Sequence, residues 1–495
     1  MLKKDYLTAS DYYKFLQCPH WPYYDRFASD EERKLKRVLT EPEEKRMEDG
    51  LLHEKRVVEH IFEGDVREVT MSGDMESDFA VTLELMKKGV EFIYQGVLVD
   101  GDWAGRPDIL KKVEGESEFG KWQYIPVDVK SAHIIQKYHR LQLMFYAVLL
   151  ERIQGTFPSQ GMIINKDSIE HVVDLGNDIT EFKTITEELE KIRVGEKPDP
   201  VLRKSCFDVG VWGALCEHDA RVSHDIAQLY NVDIKKLKAL RGLGIRTIED
   251  AAEMDVTDLD GRAKGLRAHG LHVAKMQAQS LIKRQVIVRG VEDLEEPEME
   301  IHFDIESDPP NDTDYLLGFL IRTKEKTEYK SFVARRLEDE GRMWADFLEW
   351  ISTLDGRYHV VHYASYERVR LDVLERRYGK TPHLDIFRER MVDLKTIVTS
   401  TVIFPEYFYG LKYLAKFLGY RWRGEVQGGG QSVDVFEKYI ETADESMMDQ
   451  ILIYNEDDVR ATAVLADWYR AYAKKVTTYD EPYPWVNGIE SIYAE

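Results

Sequence analysis

Two carboxylates two residues apart open one segment of this chain, and a tyrosine and an aspartate four residues apart close it. In IHFDIESDPPND, Asp304 and Glu306 lie at i, i+2 of a strand-like run, so both acids point to one side. In DQILIYNEDDVRATAVLADWY, Tyr454 and Asp458 lie at i, i+4 of a helical run and share a face. Between them, YHVVHYASYERVRLDVL reads as a strand running into a helix, with Glu367 at the turn. Four acids so placed can hold two Mg²⁺ or Mn²⁺ ions about 3.5–4 Å apart, which clamp the attacking and leaving oxygens of an in-line phosphodiester displacement. A tyrosine one turn before the last ligand can orient the attacking water.

A second constellation lies near the N-terminus. Asp108 follows the Gly-Arg-Pro turn of AGRPDIL, and Asp128 and Lys130 sit at i, i+2 in the β-prone run IPVDVK. The intervening KKVEGESEFGKWQ predicts a hairpin, which makes the two aspartates neighbours across a sheet. Carboxylates suit hard ions such as Mg²⁺ and Mn²⁺. Lys130 could orient a water or stabilise developing charge. His53, in the helical run GLLHEKRVVEH, could add a nitrogen ligand, and Gln142 and Tyr146 share one face of the helix HRLQLMFYAVLLE. GESEFGKW has phosphate-loop spacing, but Trp122 stands where the Mg²⁺-binding hydroxyl belongs, so no ATPase is expected.

The segment LKALRGLGIRTIEDAAEM predicts helix, tight turn, helix. Gly242 and Gly244 permit a positive φ and close backbone approach. Lys235, Lys236, Lys238, Arg241 and Arg246 supply local positive charge for phosphates. A plain helical spacer is the alternative.

These sites require an α/β chain in three parts: residues 1–203 mixing helices and strands, a helical module over 204–291, and an α/β segment over 298–476. The chain has 495 residues, 43% hydrophobic and 32% charged, enough for several cores. It has no apolar run of membrane-spanning length and no apolar signal region after MLKKDYL, so a cytoplasmic protein without a membrane partner is expected. The net charge of −23 runs against a general nucleic-acid footprint. It leaves room for a local basic groove and for metal-bound acidic sites.

The ordered set GLLH, GRPD, DVK and QLMFY resembles the RecB-like branch of the PD-(D/E)XK nucleases. That resemblance implies a restriction-endonuclease-like fold over residues 1–203. It makes His53, Asp108 and Asp128 metal ligands and Lys130 the catalytic lysine, with Gln142 and Tyr146 supporting the site. The 204–291 segment resembles a helix-hairpin-helix. Asp304, Glu306, Tyr454 and Asp458 are similar to the DEDD signature of ribonuclease-H-like 3′→5′ exonucleases, in the subtype with tyrosine in its third motif. HYASYE places Glu367 where aspartate is usual, and Asp372 is a weaker substitute. Asp393, in VDLKTIV, is expected to be structural or substrate-facing. The whole order resembles a class of RecB-family nucleases.

Some RecB-like relatives hold an iron–sulfur cluster through one cysteine before the nuclease domain and three after it. Cys18, Cys206 and Cys216 match three of those places, with Val209 at the missing one and Asp208 or His218 as stand-ins. Buried or free thiols without a cluster are the alternative. The function expected is a metal-dependent nuclease with two phosphodiesterase sites on DNA or RNA, the C-terminal one a 3′→5′ exonuclease. The other reading is a weak or inactive nucleic-acid-binding subunit of a helicase–nuclease, repair or CRISPR-linked complex.

Overall fold

A computed structural model of the protein describes residues 5–61, 64–472 and 482–483. The chain is mixed α/β and divides into two compact units, Met1–Ala220 and Arg221–Glu495. The first unit runs to Ala220 and includes a loop with two closely packed glycines. A side chain at Gly210 or Gly213 would collide with the Cys206 carbonyl oxygen, so the chain folds tightly there. Trp212 and Leu215 thereby join one core with Cys18 and Tyr24.

The first unit is entered by α1 (Ala9–Gln17) and α2 (Glu41–Ile61). Its six-stranded sheet runs β1 (Val66–Glu68), β2 (Phe92–Tyr94), β3 (Ile109–Ser117), β4 (Gly120–Val129), β5 (Gln160–Ile164) and β6 (Glu170–Asp174), in that spatial order. β3 and β4 form the hairpin that the sequence predicts, pairing as far as Ser117 with Gly120. β4 and β5 are parallel, and a parallel pair needs a crossover. α3 (Lys137–Gln154) supplies it, ending on Gly155 at φ 73°. Its buried Leu141, Phe145 and Leu149 anchor the largest apolar cluster of this unit, with Tyr12 and Phe182.

The second unit begins with a helical module. Its α4 (Ile234–Gly242) and α5 (Ile248–Glu253) are joined by a turn in which Gly244 takes φ 88°. α6 (Ala268–Lys283) packs on α5. β7 (Val286–Val288) then pairs with Val402–Ile403, and Tyr230 stacks on Tyr409 with ring centroids 3.9 Å apart. These contacts tie the module to the sheet that follows.

That sheet holds β8 (Met299–Asp308), β9 (Thr313–Thr323), β10 (Thr327–Val333), β11 (Tyr358–His362) and β12 (Met391–Asp393), ordered β10-β9-β8-β11-β12. The first three strands are antiparallel and the last two run parallel to β8. Strand alternation divides β8. Ile301, Phe303 and Ile305 enter a core with Phe319, Phe347 and Phe387. Asp304 and Glu306 face the long helix α7 (Glu445–Tyr472), as their contact with Asn455 shows. Among the described residues no helix is long and apolar enough to cross a membrane.

Candidate active sites

Asp304, Glu306 and Asp458 converge in the second unit, with a carboxylate oxygen of each within 4.8 Å of the others. Glu306 and Asp458 are 6% and 8% exposed. Two buried acids and a half-buried third this close are costly unless a cation joins them. Burial, with the neighbouring acids, raises the Asp304 carboxyl well above its ordinary range. Burial and Asp458 push Glu306 up to about 8. Burial also raises Asp458, against the opposing pull of Lys412. The set therefore fits a divalent ion both by donor chemistry and by its unmet negative charge.

The surrounding side chains hold this geometry. Asn455 Nδ2 donates to Asp304 Oδ2 at 2.8 Å and reaches Glu306 Oε1 at 3.5 Å. Tyr329 donates to Asn455 Oδ1 at 2.9 Å. Trp422 Nε1 donates to Asp458 Oδ1 at 2.7 Å. Tyr454, 3% exposed, receives a hydrogen bond on its hydroxyl from Lys412 Nζ at 2.8 Å. Burial lowers the Lys412 ammonium against the pull of Asp458, Glu306 and Asp304. Asn455 and Lys412 were not among the residues expected from the sequence. Their signal was weak: Asn455 only follows Tyr454, and Lys412 lies in YGLKYLAKFLGY, a segment without a charged pattern of its own.

Glu367 does not join the three-carboxylate set. It is buried at the start of the helix Tyr366–Tyr378, where His362 Nδ1 stands 3.4 Å from its Oε2. His362 Nδ1 itself bonds the Ala364 carbonyl oxygen at 2.6 Å, so the Glu367 Oε2 is left without a hydrogen-bond partner, although its charge still contributes to raising Asp304. The expected group of four acids is thus three plus a neighbour. Asp372 is exposed and paired with Arg388 at 2.9 Å, so it is no substitute. Asp393 is structural. Its Oδ1 accepts from Lys395 N and Thr396 N, capping the helix Leu394–Thr401, and from Ala364 N in the HYASYE turn.

In the first unit Asp108 precedes β3, and Asp128 lies fully buried near the end of β4. The hairpin brings them together, and Asp108 Oδ2 accepts from Val129 N at 2.7 Å. Lys130 Nζ stands 3.1 Å from Asp128 Oδ2, yet neither oxygen of Asp128 accepts a well-directed hydrogen bond. Burial and the charge of Asp128 drive the Asp108 carboxyl well up. Burial alone would lower Lys130, but Asp128, Asp108 and Glu54 outweigh it and hold it cationic. Gln142 Nε2 donates to the Tyr146 hydroxyl, which donates to the Arg106 carbonyl, each at 3.2 Å. The Tyr146 ring also leaves no room for a side chain at Gly105. Both residues thus brace the turn that carries Asp108.

His53 is half-buried with its Nε2 unpartnered. It does not form one 4.8 Å ligand set with Asp108 and Asp128 among the described residues. Its neighbour Glu54 was missed. Glu54 is 8% exposed, accepts from Gln95 Nε2, and acts electrostatically on Asp108, Asp128 and Lys130. Its signal was its helical spacing from the buried Val57 and Val58, which puts it on the inward face of α2.

In the helical module Lys235, Lys238, Gly242, Gly244 and Arg246 are exposed around the α4–α5 turn, and Lys236 is partly exposed. Arg241 is not available there: it is 5% exposed and its Nη2 bonds Asp225 Oδ1 at 2.6 Å. Helical periodicity explains this, because Arg241 follows the buried Leu237 by four residues.

The three cysteines gather in the first unit, all buried and free of disulfides. Cys18 Sγ lies 3.5 Å from Cys216 Sγ, and Cys206 interacts with both. Asp208 and His218 are exposed, so neither stands in for a fourth cysteine. His20, 1% exposed, does lie beside the thiols.

Residues 301–470 match the family model of the RNase_H superfamily. The match spans the five-stranded sheet and the helix that carries Asp458, so the C-terminal domain is RNase H-like. It supports a nuclease-type function for this part of the chain, a fold whose nucleases typically use divalent metals. No curated protein matches the chain significantly.

Proposed function

We propose that the protein is a metal-dependent nuclease with two phosphodiesterase sites, and that its RNase H-like domain is a 3′→5′ exonuclease. The observation that carries this reading is the convergence of Asp304, Glu306 and Asp458 beneath the Tyr454 hydroxyl side of α7. Those three acids would hold Mg²⁺ or Mn²⁺. The ion, when bound, polarises the scissile phosphate and favours formation of hydroxide from water. Asn455 keeps Asp304 and Glu306 oriented, Trp422 fixes Asp458, and Lys412 fixes the Tyr454 hydroxyl at the position from which it orients the nucleophile.

The first unit is read as a RecB-like PD-(D/E)XK nuclease domain. Asp108 and Asp128 would hold its ion, and Lys130 would stabilise negative charge on the phosphate. Glu54 enters this site from the helix that also carries His53. The helical module, read as a helix-hairpin-helix, takes the nucleic-acid backbone on the exposed amides and lysines of the α4–α5 turn. A groove lined by Lys236, Arg267, His269, Arg289, Thr396 and Ser400 supports a path for the strand within the second unit.

The position of Glu367 outside the three-acid set favours one other reading, a weak or inactive nucleic-acid-binding subunit that works with a helicase, repair or CRISPR-linked partner. One assay separates the two. Wild type, Lys130→Ala and Asp304→Ala are given 5′- and 3′-labelled single-stranded DNA and RNA with Mg²⁺ or Mn²⁺. Loss of different products in the two variants supports two active sites. No cleavage by wild type with either metal leaves the binding-subunit reading.

A further inference from the structure

The thiol cluster of the first unit has the donors of a single metal ion. Cys18 ends α1, His20 follows two residues later, and Cys206 and Cys216 flank the glycine-rich loop that wraps the Cys206 carbonyl. Ligand atoms of Cys18, His20 and Cys216 all lie within 4.8 Å of one another. Cys206 stands next to this set rather than in it: it interacts with both other thiols, and its Sγ lies 3.9 Å from the Gln17 carbonyl oxygen and 3.8 Å from that of Val201.

His20 is the independent sign of a ligand. Its Nε2 stands 3.0 Å from the Pro198 carbonyl oxygen, which can only accept, so that nitrogen carries the proton. Nδ1 is then a free lone pair, and it is buried without a partner. A ring fixed by a backbone carbonyl on one nitrogen and left bare on the other is the usual arrangement of a metal-bound histidine.

The sulfur spacing separates one ion from a cluster. Tetrahedral Zn²⁺ with Zn–S bonds of about 2.3 Å places its sulfurs about 3.8 Å apart. Cys18 and Cys216 are at 3.5 Å. In a cubane cluster each iron takes its own thiolate, so the sulfurs sit at separate corners and farther apart, and four thiolates are wanted where three exist. The residues present do not fit the cluster that the resemblance implies.

We propose that Cys18, His20, Cys206 and Cys216 form a closed Cys₃His site for one Zn²⁺. With all four ligands supplied by the protein the site is structural. It ties the α1 corner to a loop 198 residues away, closing the first unit on itself. This proposal is independent of the nuclease reading.

The test uses the full chain, produced without a histidine tag and washed with Mg²⁺ to clear the carboxylate sites. Elemental analysis should find one zinc per chain, with neither iron nor acid-labile sulfide. Co²⁺ exchanged into wild type should show thiolate-to-cobalt charge transfer and the visible bands of a tetrahedral site. Asp304→Ala should keep both signals. His20→Ala should lose the tetrahedral bands, and His20→Cys, which restores four donors, should recover them even if His20→Ala folds poorly. Iron with sulfide would overturn the proposal in favour of a cluster. So would a Cys18–Cys216 disulfide, or wild-type protein that takes up neither Zn²⁺ nor Co²⁺ through its thiols.

Discussion

The side-chain amide of Asn455 fills the space that any side chain at Gly318 would occupy. Gly318 lies directly opposite Asp304 across the β8–β9 pair, so its missing Cβ lets the amide reach the two strand carboxylates. Gly318→Ala is expected to expel Asn455 and release Asp304. Overpacking of this kind costs about 1–3 kcal/mol of stability. Loss of the exonuclease product rate should exceed what stability explains, on the order of tenfold or more, as for a misplaced catalytic group. Asn455→Ala in the Gly318→Ala background should add little, and a fully additive double mutant would contradict this coupling.

The acidic set predicts a pH-dependent stability that metal reverses. Glu306 titrates at about 8 in the folded protein, far above an ordinary glutamate. A carboxyl raised by folding binds more protons in the native than in the unfolded state. Its contribution is therefore complete below the ordinary glutamate range and is lost as pH rises through about 8. The metal-free protein should lose melting temperature between about pH 4.5 and pH 8 and level off above that. Saturating Mg²⁺ or Mn²⁺ should recover it, most strongly at the alkaline end. Thermal melts with and without EDTA check this, and Glu306→Gln should flatten the metal-free curve.

Lys412 donates to the Tyr454 hydroxyl, and its charge acts on all three acids. Lys412→Met keeps its bulk and removes its charge and its hydrogen bond to Tyr454. The apparent pKa of the pH–rate profile should move upward, because the acids lose an opposing charge. The maximal exonuclease rate should fall by about ten- to a hundredfold, in the range of a lost positioning or proton-transfer contact. Tyr454→Phe should lower the rate without that pH shift, which separates the two roles.

Glu54 gives the corresponding test in the first unit. Glu54→Gln removes one negative charge from a group of three acids and one lysine in which Glu54 and Asp128 are buried. Products that depend on Lys130 should fall by at least about tenfold, as for loss of an electrostatic contribution near 1.4 kcal/mol or more. Those that depend on Asp304 should be unaffected. His53→Ala should have the smaller effect of the two.

The basic residues of the helical module should divide into two classes. Lys235→Glu and Lys238→Glu should weaken nucleic-acid binding across sequences and lower the salt slope by about one per lost phosphate contact. Arg241→Ala should act on stability instead. Breaking its buried pair with Asp225 costs about 3–5 kcal/mol, to be read from chemical denaturation.

Much of the site was legible from periodicity. Asp304 with Glu306 on a strand, and Tyr454 with Asp458 on a helix, face together because backbone geometry repeats every two or about 3.6 residues. The β3–β4 hairpin, the α/β alternation and the bracing pair Gln142 and Tyr146 follow from the same short-range rules. Tertiary structure decided what those faces meet. Asn455 reaches Asp304 across 151 positions, and only the absence of a side chain at Gly318 makes the contact fit. Burial turned Arg241 from a phosphate contact into half of an ion pair, and Glu367 came to lie outside the acidic set. His20 joined thiols from both ends of its unit, a meeting that no local spacing encodes. Local geometry is set by adjacent residues, whereas the partner of a buried charge is set by whichever distant element packs over it.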